Sequence, residues 1–224
     1  MEYIRELTQL LFRFADLFVH LDIYLKYIIQ SYGNWTYLIL FLIIFCETGL
    51  VVTPILPGDS LLFAIGIFAA AGAIDLLKIW PLLVFAAILG DNINYAVGNF
   101  IGPKVFQYED SRIFRKEYLR KTHDFYEKYG GKTIILAKYL PIVRTFAPFV
   151  AGVGAMTYPK FLLFNVIGGF TWVTVIMLPG YYFGNIPAVK SNFTIVMFTA
   201  IAISTLFGLT GYYRHRKTTI TNSR

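Results

Sequence analysis

Charge is scarce in this chain: only 15% of its 224 residues are Asp, Glu, Lys or Arg, while 57% are apolar. Soluble domains carry roughly 25% charged residues, and mean hydropathy here reaches +0.60. A soluble domain of this composition would expose aggregating patches, so the composition predicts a multispanning membrane protein. Cysteine occurs once, as Cys46 inside an apolar run, which excludes a disulfide framework and a cysteine metal site. Histidine occurs at His20, His123 and His215 only, all outside the expected membrane core. No intramembrane histidine is therefore available as nucleophile or base. Lys138 and Arg144 superficially resemble the start of a lipid-phosphatase motif, but without such a histidine the expectation is no enzyme, no catalytic residue, no metal and no cofactor. The N-terminus carries Glu2, Arg5, Glu6, Arg13, Asp16 and Asp22, too polar for a cleavable signal peptide.

What charge there is has a pattern. Residues 1–34 read as an amphipathic interfacial helix, with Leu7, Leu10, Leu11, Phe14 and Phe18 set against Arg13, Asp16, Asp22 and Lys26 at helical spacing. Residues 35–74 are almost wholly apolar but hold Glu47 and the breaker-rich TPILPGDS at 53–60. Residues 79–101 form a span interrupted by GDN at 90–92, and 103–132 form a basic segment with a second amphipathic helix expected at 112–129. Residues 133–156 are apolar but contain two cations and two prolines; 160–183 and 193–213 are spans, and 214–224 is a tail with RHRK at its start.

Twelve of the twenty Lys and Arg residues fall in 103–132 and after 213, which places both segments in the cytoplasm. Nucleic acid is not needed to explain the net charge of +7; the basic helix suits anionic lipid. Counting back from a cytoplasmic C-terminus through two full spans puts both ends of 133–156 on the same side. That segment must enter the membrane, turn and leave. YAVGN at 95–99 resembles YYFGN at 181–185, Pro54 resembles Pro141, and YGNWT at 32–36 resembles YGGKT at 129–133. Each half holds one hairpin and one span, so it crosses once, and the second copy must be inverted. The expected fold is an all-α integral membrane protein. It is an inverted repeat with two opposed re-entrant helical hairpins, 35–74 and 133–156, plus transmembrane and amphipathic helices. The N-terminal helix then lies on the outer surface, a placement that its three cations and four acids neither oppose nor much support.

Irregular backbone at membrane depth survives only when it is covered by protein or lines a wet cavity. Pro54, Pro57, Pro141 and Pro148 are expected to break the hairpins, with Gly58 and Gly152 allowing tight backbone. The hairpins carry opposite charges, Glu47 and Asp59 in the first, Lys138 and Arg144 in the second. Bare charges at that depth cost roughly 2.5–3.5 kcal/mol each on insertion scales. The plainer reading is a set of structural ion pairs. The sharper one is a transport site, with Arg144 and Lys138 holding an anionic head group and Glu47 and Asp59 carrying protons. Arg144 leads, because a guanidinium grips phosphate bidentately and stays charged, whereas Lys138 is a point charge. Asp91, beside Asn92 and Asn94, is an accessory candidate for which helix packing serves equally well.

Three segments, FCETGLVVTPILPGDSLLF at 45–63, ILGDNINYAVGNFIG at 88–102 and KTIILAKYLPIVRTFAPFVAG at 132–152, resemble the signature segments of the DedA family of bacterial membrane proteins. That resemblance implies two opposed re-entrant hairpins, a bacterial inner-membrane location and a role in membrane lipid homeostasis. It implies flipping of undecaprenyl phosphate or phospholipid with dependence on the proton motive force; distant eukaryotic relatives are lipid scramblases. It maps the family's acidic pair onto Glu47 and Asp59 and its basic pair onto Lys138 and Arg144. Two positions depart: lysine stands at 138 where the family usually has arginine, and Gly98-Asn99 stands where it usually has Gly-Arg. The expected function is a flippase for an anionic lipid phosphate, with membrane lipids and protons as partners, no nucleic acid, and homo-oligomerisation left open. A proton-coupled transporter of small ions or solutes is the alternative; a purely structural role is another.

Overall fold

The computed structural model describes residues 21–50, 58–105 and 116–184, with isolated positions 186, 199 and 206. Among them every regular element is helical. The helices are α1 (Leu21–Tyr32), α2 (Trp35–Gly49), α3 (Gly58–Ala70), α4 (Leu76–Val105), α5 (Lys116–Ala137), α6 (Pro141–Val153) and α7 (Tyr158–Phe183). Pro54, Pro57, most of 193–213, the tail and residues 1–20 lie outside the described residues.

Two lengths divide these helices. Leu76–Gly102 and Tyr158–Phe183 are apolar runs of 27 and 26 residues, enough to cross a bilayer. The apolar helices α2, α3 and α6 have 15, 13 and 13 residues. At 1.5 Å per residue they reach only about 20–22 Å, short of the ~30 Å hydrocarbon core. Exposed large side chains, including Trp35, Leu77, Phe100 and Tyr182, give the exterior an apolar character suited to lipid.

Local chemistry sets the ends. Gly33 and Gly72 adopt φ of 52° and 76° in the turns before α2 and α4, where a Cβ would be strained. Leu140 is extended (φ −113°, ψ 106°), as a residue before proline prefers, and Pro141 then occupies the first turn of α6, where its missing N–H costs nothing. Thr157 caps α7, and its amide donates to Glu127 Oε1 on α5 at 2.7 Å. Asp59 lies in the first turn of α3, at the positive end of its dipole.

Several expectations are corrected. GDN at 90–92 interrupts the apolar run but not the helix, because α4 runs through it unbroken. No break separates the basic helix from the apolar segment at 132/133: α5 continues to Ala137, and the backbone turns only at 138–140. Pro148 and Gly152 do not break the hairpin but lie inside α6. Proline at an interior position removes only its own amide bond, which neighbouring helices can compensate in a membrane. Gly152 instead permits close contact, since a Cβ there would overlap the Tyr95 carbonyl of α4.

The long helices form the centre. α4 packs against α2 and α6, and α7 packs against α3 and α5, with α4 also touching α7. At α4–α6 a Cβ on Gly98 would strike the Phe149 backbone; at α3–α7 a Cβ on Gly180 would strike that of Phe63. One apolar cluster joins α1–α4 with α7 around Leu62, Leu83 and Trp172. A second joins α4–α6 and α7 around Tyr95, Ile134 and Phe161.

Candidate functional site

Five ionisable side chains meet in the buried centre. Glu47 comes from the end of α2, Asp59 from the start of α3, Asp91 from mid-α4, Lys138 from the α5–α6 break, and Arg144 from the first turn of α6. Their exposures are 1%, 6%, 1%, 2% and 6%. Burial this deep is tolerated for charges that are paired and hydrogen-bonded.

Arg144 bridges α2 and α3. Its Nη2 donates to Glu47 Oε1 and its Nη1 to Asp59 Oδ1. The two guanidinium arms thus hold two carboxylates from different helices, a task a single ammonium would not do with the same geometry. Glu47 Oε1 also accepts the Gly58 amide at 3.2 Å, so the glutamate of one helix caps the next. Here Gly58 is required: a Cβ would fall on the Glu47 carboxylate. Lys138 makes a separate pair with Asp91 Oδ2.

Neutral groups tie the pairs together. Trp172 on α7 donates its indole N–H to Asp59 Oδ1 at 3.0 Å. Its ring lies 4.9 Å from Arg144 Cζ and 5.8 Å from Lys138 Nζ, both within cation–π reach. Asn94 Nδ2 donates to the carbonyls of Thr48 on α2 (3.2 Å) and Thr145 on α6 (2.7 Å).

The cluster is left incomplete in two ways. It holds three carboxylates against two cations. Among the described residues, Glu47 Oε2, Asp59 Oδ2, Ser60 Oγ, Asn94 Oδ1 and Arg144 Nε are buried without a hydrogen-bond partner. A buried polar atom left unsatisfied costs about 1–3 kcal/mol, so several at one place single this cluster out as the candidate site.

Of the residues singled out from sequence, Glu47, Asp59 and Arg144 are brought into contact. Lys138 is not brought onto the first hairpin's acids; it pairs with Asp91, which thereby becomes part of the charge cluster instead of a helix-packing group alone. Trp172, Asn94 and Ser60 were not anticipated as parts of the site. Trp172 sits in an apolar span and reads there as core; its N–H, which needs an acceptor when buried, was the available signal. Outside the membrane segments, Glu127 on α5 has its carboxyl held well below the usual range, at about 2, by the Thr157 amide and hydroxyl and by Lys160. Lys160 Nζ bonds both the Glu127 carboxylate, at 3.1 Å, and the Glu127 carbonyl.

Long apolar helices, short apolar helices and a buried charge cluster define an α-helical membrane protein. The chain belongs to the VTT domain family, whose model matches residues 56–182 and so contains Asp59, Asp91, Lys138, Arg144 and Trp172. It is a DedA-family protein: it is 50% identical over 210 residues to Protein DedA of Escherichia coli K12, covering 93% of this chain and 96% of that one. It is 44% identical over 164 residues to an uncharacterized membrane protein of Mycobacterium leprae, covering 73% of each. It is 32% identical over 151 residues to the inner membrane protein YqjA of Escherichia coli K12, covering 67% of this chain and 69% of that one. No solved structure matches.

Proposed function

We propose that this protein is a proton-coupled flippase of the bacterial inner membrane, moving an anionic lipid phosphate such as undecaprenyl phosphate or a phospholipid in support of envelope homeostasis. The observation that carries this reading is Arg144 held by two carboxylates, with unpartnered polar atoms beside it, at the junction of helices too short to span. Helices of 13 residues on either side of a charged centre suit two opposed re-entrant hairpins, and the buried cluster between them would open toward lipid to admit an amphiphile's head group. No chemical step is assigned; the protein moves its lipid unchanged.

The charges supply a cycle. With Glu47 and Asp59 ionised, both guanidinium arms are occupied. Protons arriving on these carboxylates weaken their hold, and the guanidinium turns to a phosphate, which it binds through two parallel N–H bonds. Asp91 keeps Lys138 in place until the head group competes for it. Release of the protons on the other side restores the carboxylate clamp and expels the lipid. The C-terminus lies in the cytoplasm in this scheme.

The test is transport in proteoliposomes, comparing labelled undecaprenyl phosphate with a neutral polyprenol, with and without a pH gradient. The phosphate lipid should move faster, and Arg144→Ala should abolish the difference. Equal movement of both lipids, or undiminished transport by Arg144→Ala, removes the phosphate-binding role. Intact pH-gradient dependence in Glu47→Gln/Asp59→Asn removes the proton role.

A further inference from the structure

We propose that Trp172 is the positioning residue of this site, its N–H fixing Asp59 and its ring face seating both cations while the carboxylates release them; this rests on the transport reading above. Trp172 is fully buried on α7, and its N–H is a donor with no acceptor capacity. That single donor is committed to Asp59 Oδ1, the same oxygen that receives Arg144 Nη1. The indole therefore holds the carboxylate in place whether or not the guanidinium is on it.

The ring does a second job. Arg144 and Lys138 belong to separate ion pairs on separate partners, and Trp172 is near both, 4.9 Å and 5.8 Å from its centroid. One turn earlier on α7, Gly168 lies beside the lysine stem: a Cβ there would stand 3.4 Å from Lys138 Cγ, in ordinary contact. The attraction of a ring face for a cation does not depend on any proton. When the carboxylates take up protons and their pull weakens, the ring remains as a seat of unchanged strength. Both cations are thereby held against one ring, Arg144 Cζ at 4.9 Å and Lys138 Nζ at 5.8 Å from its centroid. A tryptophan that served only to fill the core would need some acceptor for its N–H, but not both cations beside its ring.

The two jobs separate by substitution. Trp172→Phe keeps a ring and removes the N–H; Trp172→Leu removes both. With labelled polyprenyl phosphate in proteoliposomes, Trp172→Phe should keep the half-saturating lipid concentration within about twofold while the maximal rate falls about tenfold. Trp172→Leu should also raise the half-saturating concentration about tenfold. Equal half-saturation in the two variants overturns the seating role; an unchanged maximal rate in Trp172→Phe overturns the role of the N–H. A spectroscopic measurement leaves Trp172 in place: in a Trp35→Phe/Trp80→Phe chain, its emission should change on addition of polyprenyl phosphate and stay constant with the neutral polyprenol. Constant emission in vesicles that move the phosphate lipid overturns the proposal. If the unmodified chain moves no lipid, the transport reading fails instead. The Trp172 contact is then judged by Asp59→Asn in the single-tryptophan chain, where an unshifted spectrum overturns it.

Discussion

Replacing Arg144 by glutamine and then relieving the damage with a second substitution tests whether the cluster acts as one electrostatic unit. Arg144→Gln leaves Glu47 and Asp59, 1% and 6% exposed, without their shared cation. Removing one partner of a buried pair costs about 3–5 kcal/mol, because the remaining charge stays in a poor solvent. For a chain of this size 1 kcal/mol moves a melting midpoint by about 2–4 °C, so the loss should be about 6–20 °C. Glu47→Gln alone should cost less: Arg144 keeps Asp59, and the count of three carboxylates against two cations becomes even. In Glu47→Gln/Arg144→Gln the remaining Asp59 still accepts the Trp172 N–H. The double variant should therefore be more stable than the sum of the single losses implies, by a coupling of about 1.5–3 kcal/mol. Thermal unfolding of the four proteins in one detergent provides the cycle. Losses that add to within about 0.5 kcal/mol would refute the direct Glu47–Arg144 interaction.

Three further outcomes follow from the helix contacts and from the charge count. Gly152→Val and Gly180→Val each drive a side chain into facing backbone, Tyr95 of α4 and Phe63 of α3, and should each lower stability by about 1–3 kcal/mol, read as a drop in melting midpoint; unchanged midpoints would disprove the close approach. Glu127 has its folded pKa below the ordinary 4.5, at about 2, so its contribution to the start of α7 is full above pH 4.5 and lost as pH falls from 4.5 through 2. Hydrogen exchange at the Thr157 amide should accelerate across that window in the native chain, and Glu127→Gln should show fast exchange already at pH 7. For the topology, an impermeant thiol reagent applied to single cysteines at 157 and 190 in a Cys46→Ser chain should label them from opposite sides, and labelling of both from one side rejects the hairpin at 133–156.

What could be read in the sequence was what the membrane makes expensive. Glu47, Asp59, Lys138 and Arg144 stand out because a charge in an apolar run demands a partner. Leu76–Gly102 and Tyr158–Phe183 stand out because only about 20 apolar residues cross a bilayer. Partner choice was not legible. Opposite charge on two segments suggested that both cations face Glu47 and Asp59, yet the turn at 138–140 directs Lys138 to Asp91 on α4. That turn depends on where α5 stops, and its basic and apolar portions form one helix despite their contrast in composition. Pro148 misled for a related reason: proline disfavours a helix interior by its own chemistry, and packing around α6 overrides it. Trp172 was hidden by being apolar in bulk, with a single polar atom to betray it.

The way the halves exchange helices gives the cluster its leverage. Phe63 and Ile67 of α3 sit against Gly180 and Gly184 of α7, while Phe149 and Val153 of α6 sit against Gly98 and Gly102 of α4. The α3 and α6 residues of these contacts are offset by 86, the spacing that relates Tyr95–Asn99 to Tyr181–Asn185, while their glycine partners are offset by 82, about one helical turn out of that register. Thus α3 lies on α7 and α6 lies on α4, through glycines that bring backbone to backbone. Such reciprocal packing supports the proposed inverted repeat better than the short sequence matches do. It also explains why acids and cations from different halves meet: Asp59 and Arg144 stand in the first turns of the two exchanged helices, α3 and α6. Their bond ties the start of α3 to the start of α6. The bond is one of several polar links between these segments, beside Arg144 with Glu47, Lys138 with Asp91, Asn94 with Thr145 and Trp172 with Asp59. In the proposed cycle, protonation of Glu47 and Asp59 would loosen their bonds to Arg144, and a head group between Arg144 and Asp59 would hold the loosened arrangement. In that scheme coupling of proton and lipid requires no third element, because both act on the same bond.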